Sequence, residues 1–165
     1  MATTRSRSRR TLRAEPRDEL YRALIDFASR RCCPEFLLVV RRDVAAVPSC
    51  TQTLRRLERF LVEQTDVDEW PGTRLVPPAP PARRHRYALD DGSAGVLAQQ
   101  ANGLFEWRQP ALPEGLTLMR TRSEPWLETI AHERYACLHL LDEEREALLA
   151  AVPAFAELLS EAAAS

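Results

Sequence analysis

The sequence contains no lysine: all 23 of its basic side chains are arginine. Without a side-chain amine there is no Schiff-base chemistry, no phosphate-gripping P-loop lysine and no kinase-type lysine. Glycine is scarce, at 5 residues, and no glycine-rich phosphate loop can be assembled from them. Uncharged apolar runs such as residues 36–40 fall far short of the roughly 20 residues a membrane-spanning helix needs. No apolar segment follows the N-terminal arginines in the manner of an export leader, so a cytoplasmic location is expected. The four cysteines, Cys32, Cys33, Cys50 and Cys137, are then expected to be reduced thiols, and the adjacent pair Cys32 and Cys33 makes neither a CxxC redox motif nor a zinc knuckle. Asparagine occurs once, at Asn102; with arginine in place of lysine and abundant alanine and proline, this suggests a high-GC bacterial genome.

What is present fits one α+β domain over residues 16–165 behind a flexible basic tail over residues 1–15. The tail carries Arg5, Arg7, Arg9, Arg10 and Arg13 and no acid up to residue 14, so taking its +5 from the net −1 leaves −6 on the remaining 151 residues. Such an arm can touch nucleic acid or an acidic partner.

Helical spacing of Leu20, Leu24 and Phe27 predicts a helix over residues 16–31, with Pro16 in its first turn. Residues 35–42 read as a strand buried on both faces. Ser49 and Gln52 have capping-box spacing ahead of a second amphipathic helix, and a polar edge strand follows over residues 62–70. Trp70, Pro71, Gly72 and Thr73 form a turn. The four prolines and three arginines of residues 77–86 predict an exposed loop. Ser93 is expected to cap a short helix ending at Asn102 and Gly103. Residues 104–107 and 116–121 read as strands, and residues 126–140 as a hairpin turning near His132 and Glu133. A terminal acidic helix is expected to break near Pro153. This order suggests a mostly antiparallel sheet with helices on one face.

Chemistry is sparse. Cys137 and His139, two apart on one strand, share a face and with His132 form a candidate metal set. Asp66 and Asp68 share a strand face and, with His132 and Glu133, are the candidate general acid–base groups of a small hydrolase or nuclease. Trp70, Trp107 and Trp126 sit beside prolines, and with Arg108, Arg120 and Arg122 they are the expected protein-binding surface, because Trp and Arg dominate binding hot spots. No cofactor fingerprint is present and no cofactor is expected.

Asp68-Glu69-Trp70-Pro71-Gly72-Thr73, Gly103-Leu104-Phe105-Glu106-Trp107 with Pro113-Glu114, and Pro125-Trp126-Leu127 with Ile130-Ala131-His132-Glu133 resemble small hypothetical proteins of high-GC bacteria over residues 17–153. That resemblance carries no activity and no site residues. In size and composition the chain is also similar to immunity-type proteins, which neutralise a toxin by binding it. The expectation is therefore a non-catalytic bacterial interaction module, with the hydrolase and the nucleic-acid-binding arm as alternatives.

Overall fold

The computed structural model describes residues 6–161. Its elements in chain order are β1 (Arg7–Thr11), α1 (Glu19–Arg31), β2 (Glu35–Val40), α2 (Pro48–Leu57), β3 (Leu61–Val67), β4 (Glu69–Trp70), β5 (Thr73–Arg74), β6 (Ala82–Ala88), α3 (Asp91–Gln100), β7 (Glu114–Met119), β8 (Pro125–Ile130), β9 (Tyr135–Leu141), α4 (Asp142–Ala151) and α5 (Phe155–Leu158). Seven strands form one antiparallel sheet in the order β1-β9-β8-β7-β2-β6-β3, and β4 and β5 form a separate hairpin. The expected α+β architecture is therefore present. Among the described residues no helix is long and apolar enough to cross a membrane.

Period-two alternation separates the two faces of this sheet. Tyr87, Phe36, Leu118, Leu127 and Leu138 lie opposite one another across five strands and form one apolar row. All five helices bury residues against that face, among them Leu24 and Phe27 of α1, Leu57 of α2, Leu97 of α3, Leu148 of α4 and Phe155 of α5, in a single core cluster. The next row on the opposite face reads Glu63, Arg86, Leu37, Thr117, Glu128, Cys137 and Thr11 across all seven strands. Only a small second cluster, Val39, Trp70 and Ala82 with Val67 and Leu75 against it, covers that side.

Part of the expected flexible tail is instead strand. Arg7 to Thr11 pair with β9 from Leu141 to Cys137, and Leu12 enters the main core. Main-chain pairing does not depend on side-chain identity, so a run of arginine and serine without apolar alternation covers the edge of β9 and becomes the edge strand itself. Arg5 lies outside the described residues.

The loop expected over residues 77–86 ends at Pro81. From Ala82 the chain is a strand paired on both sides, with β2 and with β3, because Pro81 is the last residue there that lacks an N–H to donate. Alternation turns His85 and Tyr87 toward the helices and Arg84 and Arg86 away from them.

Other local differences have equally local causes. Residues 104–106 form a 3-10 turn rather than a strand. Ser49 does not cap α2: Val47 holds that position, and the Ser49 hydroxyl donates to the Ala111 carbonyl at 2.7 Å. The N-cap of α3 is Asp90, with Ser93 the third residue of the helix, each side chain accepting from the other's backbone N–H. The break at Pro153 is as expected, with α4 ending at Ala151 and α5 beginning at Phe155.

Candidate functional site

Three hollows lie on the helix-free side of the sheet, and the β4–β5 hairpin shapes them. Pro71 and Gly72 fill the central positions of the hairpin turn, and Gly72 at φ 79° supplies the positive φ that a type II turn requires there. Arg74 and Glu69 close the open end of the hairpin with an ion pair at 2.8 Å. The tip rests on β8: a Cβ built on Gly72 would lie 2.4 Å from the Ile130 side chain. Trp70, only 7% exposed, packs over Val39 and Gly115. The hairpin is thus a strap that leaves β3 and crosses the sheet as far as β8.

Three hollows share Trp70 and Pro71 of this strap. The largest, a cleft of about 800 Å3, is lined by the strap together with Arg9, Arg84, Glu128, Ile130 and Tyr135. Another, of about 430 Å3, is lined by Arg41, Arg108, Gln109, Glu114 and His132 among others. An apolar slot of about 130 Å3 lies against Trp70 and Pro71, with Leu37, Val39, Met119 and Pro125 in its walls.

Side chains in the cleft are oriented by pairings across strands. Arg9 donates from Nε to Cys137 Sγ at 3.3 Å and from Nη2 to the Tyr135 hydroxyl at 3.0 Å, neither of them a carboxylate. His139 Nε2 and Glu128 Oε2 are 2.7 Å apart. Arg84 is half-buried and makes no hydrogen bond or ion pair from its side chain to any described residue, and exposed Arg108 likewise makes none. In the second hollow, Gln109 braces the wall by accepting from the Arg41 N–H at 2.6 Å and donating to the Arg41 and Val44 carbonyls. Burial pushes the Glu114 carboxyl above its ordinary value, against the opposing pull of Arg41 and of the Gln109 N–H.

The residues singled out from sequence are distributed differently. Cys137 and His139 do share a face, but Cys137 is fully buried beneath Arg9 and His139 is engaged by Glu128. His132 lies exposed on the turn Ala131–Glu133, its Nε2 3.7 Å from Glu133. Among the described residues no three His, Cys, Asp or Glu side chains are grouped to hold a metal ion. Asp66, on β3, pairs with Arg83 at 2.8 Å and Arg42 at 3.2 Å, and Asp68 is exposed just beyond the strand. Three strands stand between β3 and β8, so at about 4.8 Å per strand Asp66 lies roughly 19 Å from β8, the strand that leads into the His132 turn. That is beyond proton-transfer reach.

The tryptophan surface is also rearranged. Trp107 is fully buried and donates to the Tyr21 hydroxyl at 3.0 Å, which in turn donates to the Leu97 carbonyl at 2.6 Å. Trp126 is fully buried on the helix side, 6.1 Å from the Phe27 ring. A bulge explains this: Leu118 faces Leu127 while Met119 faces Pro125, so Trp126 is the extra residue and points the same way as Leu127. Arg120 is tied to Glu144 and to the His139 carbonyl, and Arg122 pairs with Glu63 at 2.7 Å. Of the expected binding set, Trp70 packs beneath the strap, and Arg108 stands exposed at the second hollow, near enough to Glu114 to favour its ionised form but with no side-chain hydrogen bond or ion pair to any described residue.

Arg84, Glu114, Glu128 and Tyr135 were not among the residues that spacing picked out. The usable signal was the alternation within Ala82–Ala88, where arginines at 84 and 86 interleave with His85 and Tyr87.

No family model matches the chain, and neither a curated protein nor a solved structure is significantly similar to it.

Proposed function

We propose that the protein is a non-catalytic bacterial binding module of the immunity or accessory kind, which captures an acidic partner protein on the strapped, helix-free face of its sheet. The observation that carries this reading is the unmatched positive charge around the strap. Arg9, Arg84 and Arg108 border its hollows, and none forms an ion pair with a carboxylate of the described residues. Unpaired guanidiniums at a concave surface attract carboxylates and steer association, whereas a paired arginine has already spent that capacity. Trp70, though nearly buried, contributes to the walls of all three hollows. The catalytic alternative has less support, since Asp66 on β3 is engaged by Arg42 and Arg83 and three strands separate it from β8, which leads into the His132 turn.

Co-purification of the tagged full chain from its source organism, followed by calorimetric titration with the recovered partner, tests the proposal. The double variant Arg84→Glu/Arg108→Glu is expected to weaken binding by 100-fold or more, as about 1.5–3 kcal/mol is typical of each charge-assisted contact. Binding that is unchanged by the double reversal would refute the assignment of this face.

A further inference from the structure

The slot and the cleft are two parts of one depression: Trp70, Pro71, Arg84 and Glu128 line both. The slot walls are apolar, with Leu37, Val39, Trp70 and Met119 all at least nine-tenths buried. At about 130 Å3 it accommodates one aliphatic or aromatic side chain rather than a whole ligand. Whatever fills it must continue into the 800 Å3 cleft. Arg84 stands where the two meet, opposite Val39 on one side and Thr65 on the other in the strand register. Its stem can run along the slot while its guanidinium faces the cleft. Glu128 borders the same passage but is held by His139 at 2.7 Å, and it forms no ion pair with Arg84.

From this arrangement we infer that the depression is a docking site for an extended peptide segment of the partner, in which an apolar side chain seats in the slot and an adjacent carboxylate pairs with Arg84. The inference rests on the proposed binding role of this face and specifies what that face recognises. A charge-assisted guanidinium–carboxylate pair formed beside apolar walls is stronger than one in open water, because the walls exclude competing solvent. The same walls supply the affinity that the ion pair lacks, since a buried side chain of leucine or phenylalanine size contributes about 1.5–3 kcal/mol. Together they select for adjacency: an acid without the apolar neighbour gains only a rim contact, and an apolar residue without the acid leaves Arg84 unpaired.

Random dodecapeptides displayed on phage and selected against the immobilised full chain test the inference. The expected result is enrichment of Leu, Met or Phe within two positions of Asp or Glu, with synthetic versions of the winning peptides losing at least 10-fold in affinity on Arg84→Gln and when their acid is changed to its amide. A second variant, Met119→Phe, narrows the slot and should shift the selected apolar residue toward Ala or Val while keeping the acid; thermal melts establish that both variants are folded. Sodium 4-methylpentanoate, the isolated side chain and acid, should bind far more weakly than the peptides. The inference is overturned by selection of no common motif, by a motif without the acid, by unchanged affinity in Arg84→Gln, or by the free acid binding as tightly as the peptides. If those outcomes arise while the purified partner still loses binding to Arg84→Glu/Arg108→Glu, the peptide mode fails and the binding role of the face stands.

Discussion

The two faces of the sheet are made by the same seven strands and are put to opposite uses. On the helix side the exposed ends of the strands disappear under five helices, and even the tryptophans expected at the surface are absorbed: Trp107 and Trp126 are both completely buried. On the other side a hairpin of six residues substitutes for a helical layer, and Trp70 is the single large side chain that seals it to the sheet. One face therefore holds the chain together, and the other is free to carry charge. A fold this size can leave half its sheet uncovered because the covered half already gathers the apolar residues of every helix.

That contrast gives a ranking of mutational effects. Trp126→Ala should cost most, about 3–5 kcal/mol in urea unfolding, as is usual for removing a buried tryptophan. Its indole N–H has no hydrogen-bond partner among the described residues, so Trp126→Phe should recover much of that loss. Trp70→Ala should cost less, about 1–3 kcal/mol, because it empties only the small cluster under the strap. Equal losses at the two positions would mean that the faces do not differ as described.

Smaller still is Gly72→Ala, at about 1–2 kcal/mol, since any side chain there meets both a positive φ and the Ile130 side chain. Hydrogen exchange should localise the damage to residues 68–75 and leave the helices as protected as before.

The pH dependence separates the faces by sign. His85, toward the helices, has its proton affinity depressed below the usual 6.5 chiefly by burial. The unfolded chain takes that proton first, so its contribution to stability is complete above pH 6.5 and is lost as the pH falls. Unfolding midpoints at pH 7 and pH 5 should therefore diverge less in His85→Gln than in the native chain. Glu114, on the strap side, is shifted the other way: its raised carboxyl binds a proton more readily when folded, so its ionisation works against folding as the pH rises above 4.5. Glu114→Gln should raise the melting temperature slightly at pH 7 and leave it unchanged at pH 4.

Much of the scaffold could be read from spacing. The apolar stripe of α1, the all-buried run of β2, the alternation of β9 and the interruption at Pro153 each carry their signal within a few residues. The strand β1 carries none, because its place is set by hydrogen bonds to a segment 126 or more residues away and not by any apolar pattern of its own. In β6 the signal was present but masked by the prolines before it. Trp126 was expected at the surface because it sits beside Pro125, whereas a single-residue bulge turns it to the helix face. The candidate site was the least legible part. Arg9, Trp70, Arg84, Glu128 and Tyr135 meet only because five separate strands bring them together, so no window of sequence contains the arrangement.

The pairing of β1 with β9 also has a consequence for how the protein is made. During translation β1 emerges well before the partner it needs, and at about 5–20 residues per second the intervening stretch takes roughly 6–25 seconds to synthesise. Throughout that interval β1 is a bare strand with its hydrogen-bonding groups unmatched, the condition in which nascent chains adhere to one another. Its arginines at positions 7, 9 and 10 disfavour pairing with the same segment of another chain, because like charges repel.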